Sequence, residues 1–464
     1  MVDLVIKNGK VVTVRGIFEA GVAIDEGKIV AVAKEPNLPP ADRIIDAKGH
    51  HILPGIIEPH AHLGINEPYD FKQEVLTETA AAASGGITTF MHMLYDKRSY
   101  TVAVPETTEI CNSRTHVDMA FNATIMNEQH INEIEGCVKL GVTAFKHYMN
   151  RPEYENIGIL HPDDGMLLTS FEKIQAAGGI AKTHCENYEI IRKTMERVRA
   201  SGRTELAAWD DSRPDYCEQD HLRRAAFMAK VTGVPIYVVH TTVGGHREVV
   251  DWARREGVEI YIETCTSYLT HTRDSKIGVL GKIQPPLRSQ KHQDVLWESV
   301  KDGYIDCIGT DHCAIGKEKK LGQGDIWSAW AGFPGSEMML PLMLSEGFHK
   351  RNVPLERIVE ICSYNTANVH GLPNKGDVRV GYDGDLVIVD LNKKVKISQD
   401  ILHGRSDFSL YEGWEITGWP TMTILRGEVI AEEGEIVGKP GFGRVIRCIP
   451  HNLKKSHSQS SYAQ

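Results

Sequence analysis

From residue 51 the chain repeats one phrase: an apolar, β-rich run, a polar or glycine-containing turn, then a helical pattern. Eight such runs can be counted: HILPGIIEPHAH, GITTFMHML, VDMAFNATI, VTAFKHYM, GIAKTHCEN, PIYVVHTT, VEIYIETCT and YIDCIGTDH. Between them stand helical patterns such as KQEVLTETAAAASGG, DHLRRAAFMAKVTG, HREVVDWARREG and HQDVLWESVKDG. Each of these ends in glycine, the usual residue just past a helix C-terminus. Eight strands alternating with helices predict an α/β chain folded as a (β/α)8 TIM barrel over residues 52–374. No short residue-level repeat accompanies the pattern, which argues against a solenoid.

The two ends of the chain read differently. Residues 1–51 alternate apolar and polar positions around Asn8-Gly9 and Glu26-Gly27 turns, a hairpin signature. The same style returns over 375–445, in GDLVIVDLNKKVKI and MTILRGEVIAEEGEIVG. Neither end has enough strands for a good independent sheet, so the expectation is one small β-sandwich built from both. Residues 446–464 are expected to form a tail, whose last stretch, KKSHSQSSYAQ, is polar and low in complexity.

The composition, 41% apolar and 25% charged over 464 residues, suits a soluble globular enzyme. A net charge of −10 with interspersed signs argues against nucleic acid or an anionic membrane surface as the main partner. No run approaches the length of a transmembrane helix, and MVDLVIKNGKVV lacks the plan of a signal peptide. Nine cysteines without a CxxC pair fit reduced thiols in the cytoplasm.

In such a barrel the chemistry sits at the C-terminal ends of the strands. Those ends carry His60 and His62 on the first strand, Lys146 on the fourth and His184 on the fifth. His240 stands on the sixth and Asp311 on the eighth. Side chains two apart on a strand face the same way, so His60 and His62 look into one site. Taken singly each residue has a bland reading: a structural histidine, a turn-forming aspartate, a lysine reaching for water. Six of them at one end of the barrel by coincidence is a much poorer explanation. Four imidazoles and a carboxylate suit zinc or a similar first-row ion. Burial beside cations would lower the pKa of Lys146, and its free amine can add CO2. The resulting carbamate has a carboxylate's geometry and charge and can bridge two ions.

His-Ala-His after strand one, the strand-four lysine, the histidines of strands five and six and the strand-eight aspartate resemble the amidohydrolase superfamily. Within it the chain is most similar to the hydantoinase/dihydropyrimidinase and allantoinase branch. GGITTF, THCEN, QPPLRSQKHQDVLWESVKDGYIDCIGTDHC, SYNTANVHGL and GYDGDLVIVD carry the likeness over residues 3–440. The resemblance implies a dinuclear zinc centre, a barrel with a β-sandwich, a small-molecule substrate and often a homotetramer. It assigns His60, His62, Lys146 and Asp311 to one ion, and Lys146, His184 and His240 to the other.

The implied reaction opens a cyclic amide, such as a hydantoin, dihydropyrimidine or related ureide or imide, at a C–N bond. Asp311 would serve as general base and then general acid. The chain departs from the branch where substrate would sit. Gly64 follows His-Ala-His-Leu, where dihydroorotases place an arginine. Arg151 stands where hydantoinases usually place a carbonyl-polarising tyrosine, and Gln284 replaces a serine before Pro285. Arg151 and Tyr154 are preferred over Tyr148 as the missing donor, because they lie further out, where the chain turns. Two alternatives remain open: an allantoinase or other amide or carbamate hydrolase on the same core, which DIWSAWAGFPG resembles, and a non-catalytic scaffold like the neuronal collapsin-response proteins. Such scaffolds have lost metal ligands, whereas all six positions are filled here.

Overall fold

A computed structural model describes residues 1–65, 70–149 and 162–453. The eight apolar runs become parallel strands: Ile56–His62, Ile87–Leu94, Asp118–Thr124, Ala144–Tyr148, Ile180–His184, Ile236–Val238, Ile260–Cys265 and Cys307–Gly309. Each pairs in parallel with its neighbour in sequence. Residues of the first five are buried along their whole length, as expected where both faces of a parallel sheet are covered. The eighth run breaks after Gly309 and resumes as His312–Cys313, which pairs with Ala61 and His62 of the first strand. That short ninth strand closes the barrel and leaves Asp311 in the break.

Helices fill the crossovers as the pattern predicts. Phe71–Ser84 begins where the Asp70 side chain accepts the backbone N–H of Gln73, an N-cap of the usual kind. Asp215–Thr232 and Gln290–Asp302 both end at glycines in the left-handed conformation. No helix among the described residues is long and apolar enough to cross a membrane.

The β-sandwich draws on both chain ends. A four-stranded sheet contains Val2–Lys7, Gly21–Asp25, Lys28–Ala33 and Ala41–Asp46. The seven-stranded sheet facing it mixes Lys10–Thr13, Gly16–Glu19 and His51–Pro54 with the long strands Leu386–Lys396 and Glu415–Leu425 and two short ones. Leu4, Ile24 and Ile29 pack between the sheets against Ile52, Leu386 and Ile424. The first apolar run thus serves twice: His51–Pro54 ends in the sandwich and Ile56–His62 starts the barrel. Gly55 makes the join, and a Cβ there would lie 2.1 Å from the Thr88 hydroxyl. After the last sandwich strand the chain crosses the N-terminal ends of the barrel strands, where Ile446 N–H donates to Met119 O at 2.7 Å.

Sandwich and barrel are clamped by a buried ionic cluster. Asp118, which opens the third barrel strand, lies 2.8 Å from Lys375 Nζ, and Asp383 lies 3.1 Å from it. Asp385 bonds the same ammonium, while Arg426 pairs with Asp118 and Lys28 with Asp383. Burial alone would depress the Lys375 pKa, but Asp385, Asp118 and Asp383 hold it above the ordinary range. Removing one partner from a buried network strands the others without a counter-charge. Lys375→Met is therefore expected to lose ~3–5 kcal/mol of stability, read as a fall in the urea midpoint; an unchanged midpoint would contradict the clamp.

Candidate metal centre

The barrel brings all six strand-end residues to one place. His60, Lys146, His184 and His240 are at most 2% exposed. Asp311 Oδ1 lies 2.8 Å from His62 Nε2 and 3.2 Å from His60 Nε2. Ligand atoms of His60, His62 and Asp311 fall within 4.8 Å of one another, close enough to hold one ion. The His60 and His240 rings are 5.3 Å apart, and those of His240 and His184 are 4.5 Å apart. The imidazoles thus form a continuous row from Asp311 to His184.

The local backbone is part of the arrangement. His240 and Asp311 both adopt positive φ, 39° and 54°. Such conformations are uncommon for residues with a side chain and concentrate at functional sites. Each lies just past a strand, where the turn redirects the side chain toward the barrel axis.

His240 Nδ1 and Lys146 Nζ are buried with no hydrogen-bond partner among the described residues, and His60 Nε2 has Asp311 Oδ1 at 3.2 Å without hydrogen-bond geometry. An unsatisfied buried donor or acceptor is costly, and imidazole nitrogens beside a carboxylate are donors that a cation would satisfy. Burial pushes the Lys146 ammonium down to about 7, with Asp311 and Glu263 opposing, the direction that favours the free amine. Burial likewise holds His60 and His240 well below the ordinary imidazole range, which leaves their lone pairs available. The donor set fits divalent ions.

A second layer fixes these rings. His60 Nδ1 lies 2.9 Å from Glu263 Oε1, and His184 Nε2 lies 2.7 Å from Glu186 Oε2. Arg213 donates to Glu186 at 2.9 Å. Burial would raise the Glu186 carboxyl, but Arg213 and His184 pull it down to about 2. His62 Nδ1 lies 2.9 Å from the Tyr95 hydroxyl, which bonds that of Tyr148. Glu263, Glu186 and Tyr95 were not among the sequence candidates. The available signal was a carboxylate inside an otherwise apolar barrel strand, or two residues beyond a strand-end histidine.

A cavity of about 460 Å3 opens beside the His62–Asp311 end of the row. Tyr148 and Gln284 line it, together with His62, Asp311 and Tyr95. Arg151 and Tyr154 lie outside the described residues. The wall over 329–332 is tied back by two lysines. Lys320, fully buried, donates to Lys282 O at 2.6 Å and to Trp330 O and Gly332 O at 2.8 Å. Lys282 Nζ donates to Ala329 O at 2.7 Å and lies over the Trp209 ring.

An amidohydrolase family model matches residues 51–430. The chain is 31% identical to an L-hydantoinase of Paenarthrobacter aurescens over 452 residues, covering 96% of this chain and 98% of that one. It is also 31% identical to an allantoinase of Deinococcus radiodurans, over 96% of this chain and 98% of the other. Among solved structures, the L-hydantoinase (dihydropyrimidinase) from Arthrobacter aurescens superposes with a TM-score of 0.90 at 32% identity, covering 96% and 100% of the two chains.

The lysine-braced wall yields a direct expectation. A buried carbonyl left without a donor costs ~1–3 kcal/mol before relaxation. Lys320→Met fills similar space but takes a donor from three carbonyls, of which Lys282 O keeps the Gly332 N–H. Its thermal midpoint should fall by several degrees, and a variant melting with the parent would contradict the bracing role.

Proposed function

The chain belongs to the amidohydrolase family, and from that premise we propose that it opens a cyclic amide at a C–N bond using two divalent ions. It is a hydrolase of the hydantoinase/dihydropyrimidinase branch, and members of the family generally work with a dinuclear metal centre. The observation that carries the reading is the meeting of His60, His62 and Asp311 within 4.8 Å, in line with His240 and His184. In the proposed assignment His60, His62 and Asp311 would hold one ion and His184 and His240 the other, with Lys146, as a carbamate, a ligand to both. Zinc suits this set of nitrogens and oxygens.

When bound, the ions supply Lewis-acid polarisation of the scissile carbonyl and an acidified water. The chain supplies the rest. Burial works to raise the Asp311 carboxyl and contacts with His60 and His62 lower it; as a carboxylate it can accept a proton. Its Oδ1 faces the two imidazoles. We assign Oδ2 to take the proton of the attacking water and deliver it to the leaving nitrogen.

The donor to the developing oxyanion is proposed among Tyr148, Arg151 and Tyr154, and Tyr148 is the one whose surroundings are described. With His62 Nε2 committed as a ligand, Nδ1 carries the ring proton and donates to Tyr95. Tyr95 then donates to Tyr148, a residue that lines the cavity. Gln284, on the same cavity, is proposed to bind the substrate's amide edge. The proposal extends to a dimer or tetramer working in the cytoplasm, where the nine buried free cysteines would stay reduced. The 31% identity to an allantoinase favours allantoin as a second candidate substrate. Product analysis with hydantoin, dihydrouracil and allantoin separates the two readings.

Two variants test the assignment. Lys146→Ala should lose both bound metal and turnover, and a short carboxylic acid in the buffer should restore part of each by taking the carbamate's place. Full metal content and turnover without rescue would remove the bridge. Asp311→Asn keeps a ligand oxygen but cannot carry the proton, so turnover should fall at least ~10²-fold with a smaller loss of metal. Retained turnover with an unchanged pH profile would take Asp311 out of proton transfer.

A further inference from the structure

Glu263 lies within the seventh barrel strand, fully buried, and faces the barrel interior. A carboxylate there carries a desolvation cost that an apolar residue would avoid, so its partners matter. Its Oε1 lies 2.9 Å from His60 Nδ1 and accepts the backbone N–H of His240, also at 2.9 Å. Its Oε2 accepts the hydroxyl of Tyr237 at 2.8 Å. Two of the three donors therefore belong to the metal centre, and they come from opposite halves of it.

We propose that Glu263 is a positioning residue that couples the two halves of the metal centre through one carboxylate oxygen. The proposal rests on the dinuclear reading above. Toward His60 the bond fixes the tautomer: the proton stays on Nδ1, and Nε2 presents its lone pair beside Asp311. A carboxylate partner also raises the basicity of a ligating imidazole. Toward His240 the bond is to the main chain, at the residue with φ of 39°. Holding that amide holds the turn that aims the His240 ring between His60 and His184. Tyr237 braces the second oxygen, and Lys182 Nζ, 4.6 Å from the Tyr237 ring centroid, supplies a nearby positive charge. A carboxylate serving only to fill the barrel core would show none of this bias toward site residues.

The test reads metal affinity in the absence of substrate. Metal-depleted parent, Glu263→Gln and Tyr237→Phe are titrated with Zn2+ against a chromophoric chelator, with near-UV circular dichroism as the check on packing. Glutamine keeps the shape but loses the charge and one acceptor, so affinity should fall ~10–100-fold at both sites. Tyr237→Phe removes a single brace and should cost a smaller, several-fold loss at both. Parent-like titration of Glu263→Gln overturns the proposal, and a loss confined to one site overturns the coupling. Should Glu263→Gln not fold, Tyr237→Phe decides, and unchanged affinity there overturns the proposal. A parent protein that takes up no Zn2+ contradicts the functional reading itself, which separates the two failures.

Discussion

The pairing of His312 and Cys313 with Ala61 and His62 closes the parallel sheet, and the site depends on that closure. Residues at the ends of parallel strands already point to one rim of the barrel. Only when the last strand meets the first does Asp311 come within 2.8 Å of a histidine 249 positions earlier in the chain. The break that leaves Asp311 between two short strands, with its positive φ, turns its carboxyl onto the His60–His62 pair. The same closure sets the Glu58 carboxylate of strand one against the Thr310 hydroxyl, 2.6 Å away, just before the break.

A rim of imidazoles, a lysine and an aspartate at very low exposure is unfavourable by itself. Buried polar groups cost free energy unless they are paired. The fold answers with a second layer in which Glu263, Glu186 and Tyr95 each engage one ring. It leaves His240 Nδ1 and Lys146 Nζ without a hydrogen-bond partner among the described residues. Stability is spent at the rim and recovered elsewhere, in the apolar strand cores and in the Asp118–Lys375 cluster that joins barrel and sandwich. Local departure from the rules of packing is what a functional site is expected to show.

The eightfold alternation of apolar runs and helices was legible in the sequence because buried parallel strands read as continuous apolar stretches. The six rim residues were legible because each ends such a stretch. Their supports were harder to see. Glu263 and its partner His60 are 203 positions apart, and a glutamate in a strand reads the same whether it faces the barrel axis or water. Lys320 sits in the run KEKK, which resembles a solvated face, yet its side chain is fully buried beneath the cavity wall. The first run is split between two sheets at Pro54-Gly55, a breaker pair that the apolar residues on both sides obscure. Of the pocket residues, Tyr148 and Gln284 line the cavity, while Arg151 and Tyr154 fall outside the described residues.

The central claim is a pair of ions bridged by a modified lysine, and crystals of the protein purified with Zn2+ and bicarbonate test it most directly. Anomalous diffraction at the zinc edge should show two peaks per chain, one beside His60, His62 and Asp311 and one beside His184 and His240. Density continuing beyond Lys146 Nζ should join them. A single peak or none, with an unextended lysine side chain, would contradict the account.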